Sequence, residues 1–276
     1  MLRSMFSAIS GLKSHQTMLD VTSNNIANVN TTGFKAGRTT FKDSLSQIQS
    51  GAAAPTGTQG GANAVQVGLG VQVGSVDNMM GGGALQSTGN VLDVAITGEG
   101  FFRVGAGAPP ALPTEFQYTR AGNFTLNQQG YLVTQDGAYV IGRDATGTGG
   151  ADKYIKMDDG ATNVSIGQNG AVTFYAPNAT APTVAGYLSL ARFANQNGLE
   201  RDANNRWSAG AATGPEQVGT PGDGYGLTAS GAVEMSNVDL ASEFTNMITA
   251  QRGFQANSRV ISTADQILQD LVNLNR

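Results

Sequence analysis

The two ends of the chain carry the same hydrophobic repeat, and this repeat constrains the fold more than any other feature. Apolar residues recur with alternating spacings of four and three, which places them along one narrow stripe of an α-helix. The stripe consists of two series of positions, each recurring every seven residues. In each repeat one series is fully apolar, and the other is interrupted by polar residues such as Gln16 and Ser258. The predicted helix seams consist of Met5, Ile9, Leu12, Leu19 and Ile26 near the N-terminus and of Leu240, Phe244, Met247, Phe254, Ile261, Leu268 and Val272 near the C-terminus.

A stripe this narrow suits a helix that packs on another helix and not on a sheet. Polar residues within such a seam weaken packing but fix register and the number of partners. The pattern leaves open an ordinary pair of core-facing helices within one domain. Because both seams lie at the extreme ends of the chain, it favours helices whose partners come from other subunits.

Between the ends lies a long glycine-rich region with the signals of short β-strands. Glycine accounts for 38 of the 276 residues. Asp136-Gly137 and Asn169-Gly170 separate alternating apolar runs, which is a strong signal for β-hairpins. Short strands at this spacing predict a mainly antiparallel β sandwich or barrel-like body at about residues 72–225. The predicted fold class is therefore α+β, with long terminal helices flanking the β body.

Two low-complexity segments join this body to the ends. Residues 49–64 and 209–226 are rich in Gly, Ala, Pro and Thr, and by composition they contain nothing that could pack. Such composition predicts flexible or extended connectors.

The composition argues against catalysis. The chain contains no cysteine and a single histidine, His15, so thiolate nucleophiles and histidine-rich metal sites lack their ligands. The glycine-marked segment 67–74 does not have the spacing of a dinucleotide fingerprint. We expect no enzymatic activity, no cofactor and no metal, and we expect His15 to be a partly packed helix residue.

Charge and hydropathy argue against nucleic acid and membrane as partners. The formal net charge is −4 and only 13% of residues are charged. The sequence has no cluster of Lys and Arg with interleaved aromatic residues, and no run of about eighteen apolar residues. The first residues lack the apolar core of a cleavable signal peptide.

Two signatures near the ends resemble those of the bacterial flagellar axial proteins, which are the subunits of the rod and hook. The N-terminal signature comprises Ser10-Gly-Leu12, then Ser23, Asn24, Asn25, Ile26, Ala27 and Asn28, and then Gly33, Phe34 and Lys35. The C-terminal signature comprises Val233-Glu-Met-Ser-Asn-Val-Asp-Leu240 and Ala250-Gln-Arg-Gly-Phe-Gln-Ala-Asn257. The central segments 92–102 and 118–124 are similar to the D1 domain of hook and distal rod proteins.

The resemblance implies a division into three parts. Residues 1–30 and 238–276 are expected to form the D0 helices of an inner tube. Residues 31–71 and 226–237 are expected to form the connecting Dc region, and residues 72–225 the outer D1 domain.

Within this family the opening MLRSMF and the ending LVNLNR are most similar to a short hook protein, whereas the insertion at 46–67 and the total length suit a distal rod protein. The resemblance therefore implies a structural subunit of the hook, which self-assembles into a bendable tube and transmits torque from rod to filament. A distal rod subunit is the alternative, and a secreted β-rich binding module is a remote one.

The same resemblance implies a set of partners and a location. The partners are copies of the chain itself, the distal rod protein, the hook cap protein, the hook–filament junction protein and the flagellar type III export apparatus. The location is the flagellum outside the cell, reached without a cleaved signal peptide.

Overall fold

The computed structural model describes residues 2–55, 60–107, 109, 111–144, 150–158, 160–177 and 181–274. The chain divides into two compact units. We call the first the helical unit; it comprises Met1–Ala27, Gly37–Asn78 and Asp239–Arg276. We call the second the β unit; it comprises Asn28–Ala36 and Met79–Val238.

The helical unit is built on two long helices and two β-hairpin-like strand pairs. Its described elements are α1 Leu2–Ala27, β1 Gly37–Asp43, β2 Ser46–Ser50, β3 Val65–Gly68, β4 Val71–Asn78 and α2 Leu240–Leu274. β1 pairs with β4 and β2 pairs with β3, both antiparallel. Gly11 of α1 lies against Asn257 of α2, and Gly253 lies against His15, so the two helices run antiparallel.

Both predicted terminal helices are present, and a polar cap starts the second one. The Asp239 carboxylate accepts hydrogen bonds from the Ala241 N–H at 3.0 Å and from the Ser242 hydroxyl at 2.7 Å. These hydrogen bonds lower the pKa of Asp239, and the one from the Ser242 hydroxyl has the largest effect. The cap satisfies helix donors that have no partner within the first turn.

The β unit is an antiparallel body. Its described strands are β5 Leu85–Ser87, β6 Val94–Thr97, β7 Phe101–Gly105, β8 Gln117–Thr119, β9 Phe124–Leu126, β10 Leu132–Thr134, β11 Tyr139–Arg143, β12 Asp152–Tyr154, β13 Thr162–Ile166, β14 Ala171–Tyr175, β15 Thr183–Leu188, β16 Leu190–Arg192, β17 Glu200–Arg201, β18 Arg206–Ser208, β19 Gln217–Gly219, β20 Leu227–Ser230 and β21 Ala232–Glu234, with one 3-10 turn at Gln196–Gly198. Among the described residues, β7 through β19 form one connected sheet, while β6 pairs with β20 and β5 pairs with β21. The α+β fold class is confirmed.

Glycine turns and large apolar side chains account for this body. Gly137 and Gly170 have φ values of 81° and 75°, which suit glycine, in the turns that join β10 to β11 and β13 to β14. The main hydrophobic cluster is formed by buried residues of the sheet such as Phe102 and Leu132. A second cluster surrounds Trp207, which is completely buried.

The described residues of both predicted connectors include extended, paired backbone, which fits the extended form of the prediction and not the flexible one. β2 and β3 form a hairpin, which a bridge between Ala53 and Ala62 extends, while residues 56–59 lie outside the described part. β19 pairs with β16, and Thr220 beside it is buried. Strand pairing is a backbone property that small residues also permit, so segments without side chains that pack can still form strands.

The boundaries of the two units also differ from those of the predicted body. Residues 72–78 form most of β4 and belong to the helical unit, whereas 28–36 and 226–238 belong to the β unit. Segment 226–238 joins the β unit because β20 and β21 pair with β6 and β5, and segment 28–36 joins it through contacts such as the hydrogen bond from the Gly33 N–H to the Glu234 carbonyl. The D0, Dc and D1 division concerns the assembled tube and stays a prediction.

Neither helix in the described ranges combines the length and apolarity needed to cross a bilayer. Over the same residues, no group of three or more His, Cys, Asp and Glu side chains is placed to hold a metal ion.

Candidate functional site

The two helices of the helical unit interlock through a glycine on each. A Cβ atom built on Gly11 would lie 2.7 Å from Asn257 Nδ2, and one built on Gly253 would lie 2.5 Å from the His15 ring. The His15 ring also meets the edge of Phe41, with 5.8 Å between ring centroids. Each glycine therefore leaves room for a large side chain of the partner helix. His15 is a partly packed helix residue, as predicted.

The most buried positions of the helix pair are small or polar, not large and apolar. On α1 and α2 these positions are Ala8, Gly11, Ser14, Thr22, Asn25, Ala250 and Ala264. This face is not predicted by the heptad spacing, because that pattern consists of large apolar residues. The signal that could have revealed it is the recurrence of small residues at spacings of three and four, which allows close approach of two helices.

The predicted seam residues divide into two groups. Those that are half-buried are Met5, Ile9, Leu12, Leu19, Ile26, Met247, Ile261 and Leu268. Those that are exposed are Leu240, Phe244, Phe254 and Val272, and Val272 has 67% of its surface exposed. All five residues of the N-terminal seam are therefore half-buried, whereas four of the seven residues of the C-terminal seam are uncovered. Their role as assembly contacts stays a prediction.

Further apolar residues extend the uncovered surface of α2. Leu240, Phe244 and Ile248 follow each other at a spacing of four, so they lie on one face of the helix. Leu271 and Leu274 are exposed near its C-terminal end. Each of these five side chains of α2 therefore has at least 40% of its surface uncovered in this chain.

Asn25, in the middle of the N-terminal signature, ties three elements of the helical unit together. Its amide pairs with the backbone of Gly37, donating to the carbonyl at 2.8 Å and accepting from the N–H at 2.9 Å. Its Nδ2 also donates to Glu243 Oε1 at 3.2 Å. Burial raises the pKa of Glu243, and the negative charge of Asp239 adds to the shift. Asn25 therefore joins the end of α1 to the start of β1 and to the first turn of α2.

In the β unit, Lys35 of the same signature belongs to a buried charge cluster. Its Nζ contacts Glu234 Oε1 at 2.5 Å, and Arg120 Nη1 contacts Glu234 Oε2 at 3.1 Å. The Gly83 N–H donates a third hydrogen bond to Glu234 at 2.9 Å. At most 4% of each charged side chain is exposed. The cluster joins the N-terminal signature, the C-terminal signature and the central segment 118–124.

The neighbours of Glu234 determine the ionisation state of its carboxyl group. Burial alone would raise its pKa, but the charge of Arg120 and the hydrogen bonds from Lys35 and the Gly83 N–H together hold the pKa below its ordinary value. Glu234 is therefore ionised at neutral pH, although it is almost completely buried.

Backbone hydrogen bonds run beside this cluster. The Gly33 N–H donates to the Glu234 carbonyl at 2.7 Å, and the Ala36 N–H donates to Asn237 Oδ1 at 2.8 Å. Gly33 has a φ of 67°, and a Cβ on it would lie 2.6 Å from the Ala121 backbone nitrogen. Glycine is therefore required at this position of the signature for both its conformation and its close approach.

Arg201 connects the N-terminal segment of the β unit to the second hydrophobic cluster. Its Nη2 donates to the Lys35 carbonyl at 2.6 Å. Its guanidinium carbon lies 4.7 Å from the Phe34 ring centroid and 5.0 Å from the Trp207 ring. These distances are typical of cation–π contacts. Sequence analysis missed Arg201, since a contact between residues so far apart in the chain leaves no local pattern.

Family comparisons agree with the signatures. A model described as flagella basal body rod protein matches residues 5–35, and one for the D1 domain of the flagellar hook protein FlgE/F/G matches residues 95–174. A third, described as flagellar basal body rod FlgEFG protein C-terminal, matches residues 229–274. All three fall on segments in which the resemblance was found.

Individual relatives align with the whole chain. The flagellar basal-body rod protein FlgG of Bacillus subtilis is 47% identical over all of both chains. FlgG of Borreliella burgdorferi is 34% identical, again over all of both chains. The hook protein FlgE of the same organism is 27% identical over 99% of this chain and all of its own length.

These relatives are rod and hook proteins, which confirms the expectation of a structural protein and not an enzyme. The hook expectation is not confirmed, because the rod proteins are the more similar of the two kinds, and the rod alternative fits better. The chain belongs to the family of flagellar rod and hook axial proteins.

Proposed function

We propose that the chain is a subunit of the distal rod of the bacterial flagellum, and that copies of it assemble into a stiff tube that transmits torque. The main support for the proposal is that the whole chain aligns with the whole of a rod protein. The alignment with Bacillus subtilis FlgG takes 281 positions for 276 residues, whereas that with the hook protein FlgE takes 447. As a hook protein, the chain would lack long segments that FlgE has.

The exposed apolar surface of α2 supports assembly from copies of the chain. Phe244 and Ile248 each have about half of their surface exposed. Fully burying a side chain of this size contributes about 1.5–3 kcal/mol, so covering the exposed half contributes roughly half of that. A neighbouring copy in a tube offers the same helices and the same seams, so each subunit can cover its neighbour's surface. We infer that the predicted seam residues act as these contacts.

The β2–β3 hairpin supports the rod assignment in a second way. It lies within the insertion at 46–67 that, by resemblance, distal rod proteins possess. Ile48 of β2 and Val65 of β3 have 61% and 51% of their surfaces exposed. A two-stranded hairpin without a packed face is marginally stable by itself. We infer that neighbouring subunits of the tube cover it.

This assignment revises the predicted partners. Copies of the chain are the principal partner, and the flagellar type III export apparatus delivers the chain to a site outside the cytoplasm. The hook cap and hook–filament junction proteins belong to the hook alternative. The distal rod protein, predicted as a partner, becomes the chain itself.

Assembly of the purified full-length chain tests the proposal. Concentrated wild-type protein is expected to form straight tubes in electron micrographs. Phe244→Asp places a carboxylate in the apolar contact and should abolish sedimentable tubes, since an unpaired buried charge is costly. Phe244→Leu keeps the surface apolar and should assemble. Curved tubes would favour the hook, and a chain that stays monomeric at all concentrations would favour a binding module.

A further inference from the structure

We propose that Lys35, Arg120 and Glu234 form a charge latch, which prevents the β unit from completing its fold until the segment that carries Glu234 has docked. Lys35 lies just before β1, Arg120 just after β8, and Glu234 at the end of β21. The three charges therefore come from the beginning, middle and end of the β unit's chain.

The latch depends on an imbalance of buried charge. Two cations and one carboxylate meet in a place where no side chain is more than 4% exposed. Glu99 also attracts Arg120, but it is exposed, so water screens its charge. Among the described residues of this cluster, Glu234 is the buried counter-charge for both cations. Without it, two like charges would share a site of low polarity.

The other partners of the cations cannot replace Glu234. Lys35 Nζ also donates to the Gly81 carbonyl at 2.8 Å, and Arg120 Nη2 donates to the Gly98 carbonyl at 2.8 Å. A carbonyl accepts a hydrogen bond but carries no net charge. Removing one member of a buried ion pair is strongly destabilising, because the remaining charge has lost both water and its partner. Until the strand that carries Glu234 docks, burial of Lys35 and Arg120 is therefore unfavourable in free energy.

Chain order gives this imbalance a consequence for folding. All strands of the large sheet, β7 through β19, precede Glu234 in the sequence. In a chain synthesised or delivered from its N-terminus, the sheet strands are present first and β21 comes last. Docking of β21 on β5 brings the carboxylate to the two cations and also forms the hydrogen bond between Gly33 and Glu234. We expect the β unit to complete its fold only after this step.

Trp207 makes the latch measurable in the full-length chain. It is the single tryptophan, it is completely buried, and it lies in the β unit beside Arg201. Its fluorescence therefore follows unfolding of this unit. Glu234→Gln keeps the shape of the side chain and removes its charge, and we expect it to lower the midpoint of the fluorescence transition by about 10 °C. Lys35→Met and Arg120→Met each leave one cation with one carboxylate, so each should lower the midpoint by only about 3 °C.

The double variant Lys35→Met/Glu234→Gln separates charge from packing. It leaves one uncompensated cation where Glu234→Gln leaves two, so its midpoint should be higher than that of Glu234→Gln although it carries one more substitution. Equal losses for the three single variants, or a double variant no more stable than Glu234→Gln, would overturn the proposal. If Glu234→Gln does not fold, a folded double variant supports the latch, and an unfolded double beside a folded Lys35→Met contradicts it.

Discussion

Gly253 of α2 lies against the ring of His15 of α1, so closely that a Cβ on the glycine would be 2.5 Å from two ring atoms. Asn257, one helical turn further on, lies against Gly11 in the same manner. The two contacts fix the relative register of the antiparallel helices, since a shift of either helix would bring a side chain against a side chain. All four residues lie in or beside the two signature segments.

Gly253→Ala tests this contact. At an open helix position the change would stabilise the helix by about 1 kcal/mol. Here the added methyl group meets a rigid ring, and overpacking of this kind costs about 1–3 kcal/mol. We expect a lower melting temperature in far-ultraviolet circular dichroism. The double variant Gly253→Ala/His15→Ala should recover most of the loss, whereas a single Gly253→Ala more stable than wild type would rule the contact out.

Asn25→Asp should weaken the joint between α1, β1 and α2 in a pH-dependent way. The variant loses the amide that donates to Gly37 and Glu243, and it places a second carboxylate beside Glu243. Burial raises the pKa of Glu243, so acidification protonates Glu243 more readily than an ordinary glutamate and relieves the repulsion. Helix stability relative to wild type should therefore be lowest at neutral pH. Ser23→Ala, at an exposed position of the same helix, is the control. A loss for Asn25→Asp that does not change with pH would contradict this account.

Acid should destabilise the β unit through Glu234. The pKa of its carboxyl is lower in the folded chain than in the unfolded chain, because Arg120, Lys35 and the Gly83 N–H favour the ionised form over the opposing effect of burial. Its contribution is complete above the unfolded pKa and disappears as the pH falls through the folded one. The Trp207 transition should therefore move to lower temperature in acid, and Glu234→Gln should flatten this dependence. An unchanged acid profile in the variant would show that other carboxylates are responsible.

Replacing the β2–β3 hairpin by a short turn between β1 and β4 should leave the monomer almost as stable as before. The hairpin is exposed along both strands, so its removal loses little buried surface. The measurable effect should appear in the tube, as altered stiffness or altered contacts between subunits. A fall of more than about 5 °C in the melting temperature of the monomer would instead mean that the hairpin stabilises a packed element.

Some of these features could be predicted from the sequence because they have local causes. The heptad spacing marked both helices, and the pairs Asp136-Gly137 and Asn169-Gly170 marked hairpins. The buried face of the helix pair was not predicted, because Gly11 and Gly253 act by the absence of a side chain. The pairing of Lys35 with Glu234 spans almost 200 residues, and no local pattern encodes it.

The central claim is that this chain builds a straight rod from its terminal helices. Electron cryomicroscopy of tubes grown from the purified full-length chain tests it most directly. The account predicts a straight tube in which α1 and α2 line the inner wall, with Phe244 and Ile248 buried against a neighbouring subunit. A curved tube, or a straight one in which these two side chains remain exposed to solvent, would contradict it.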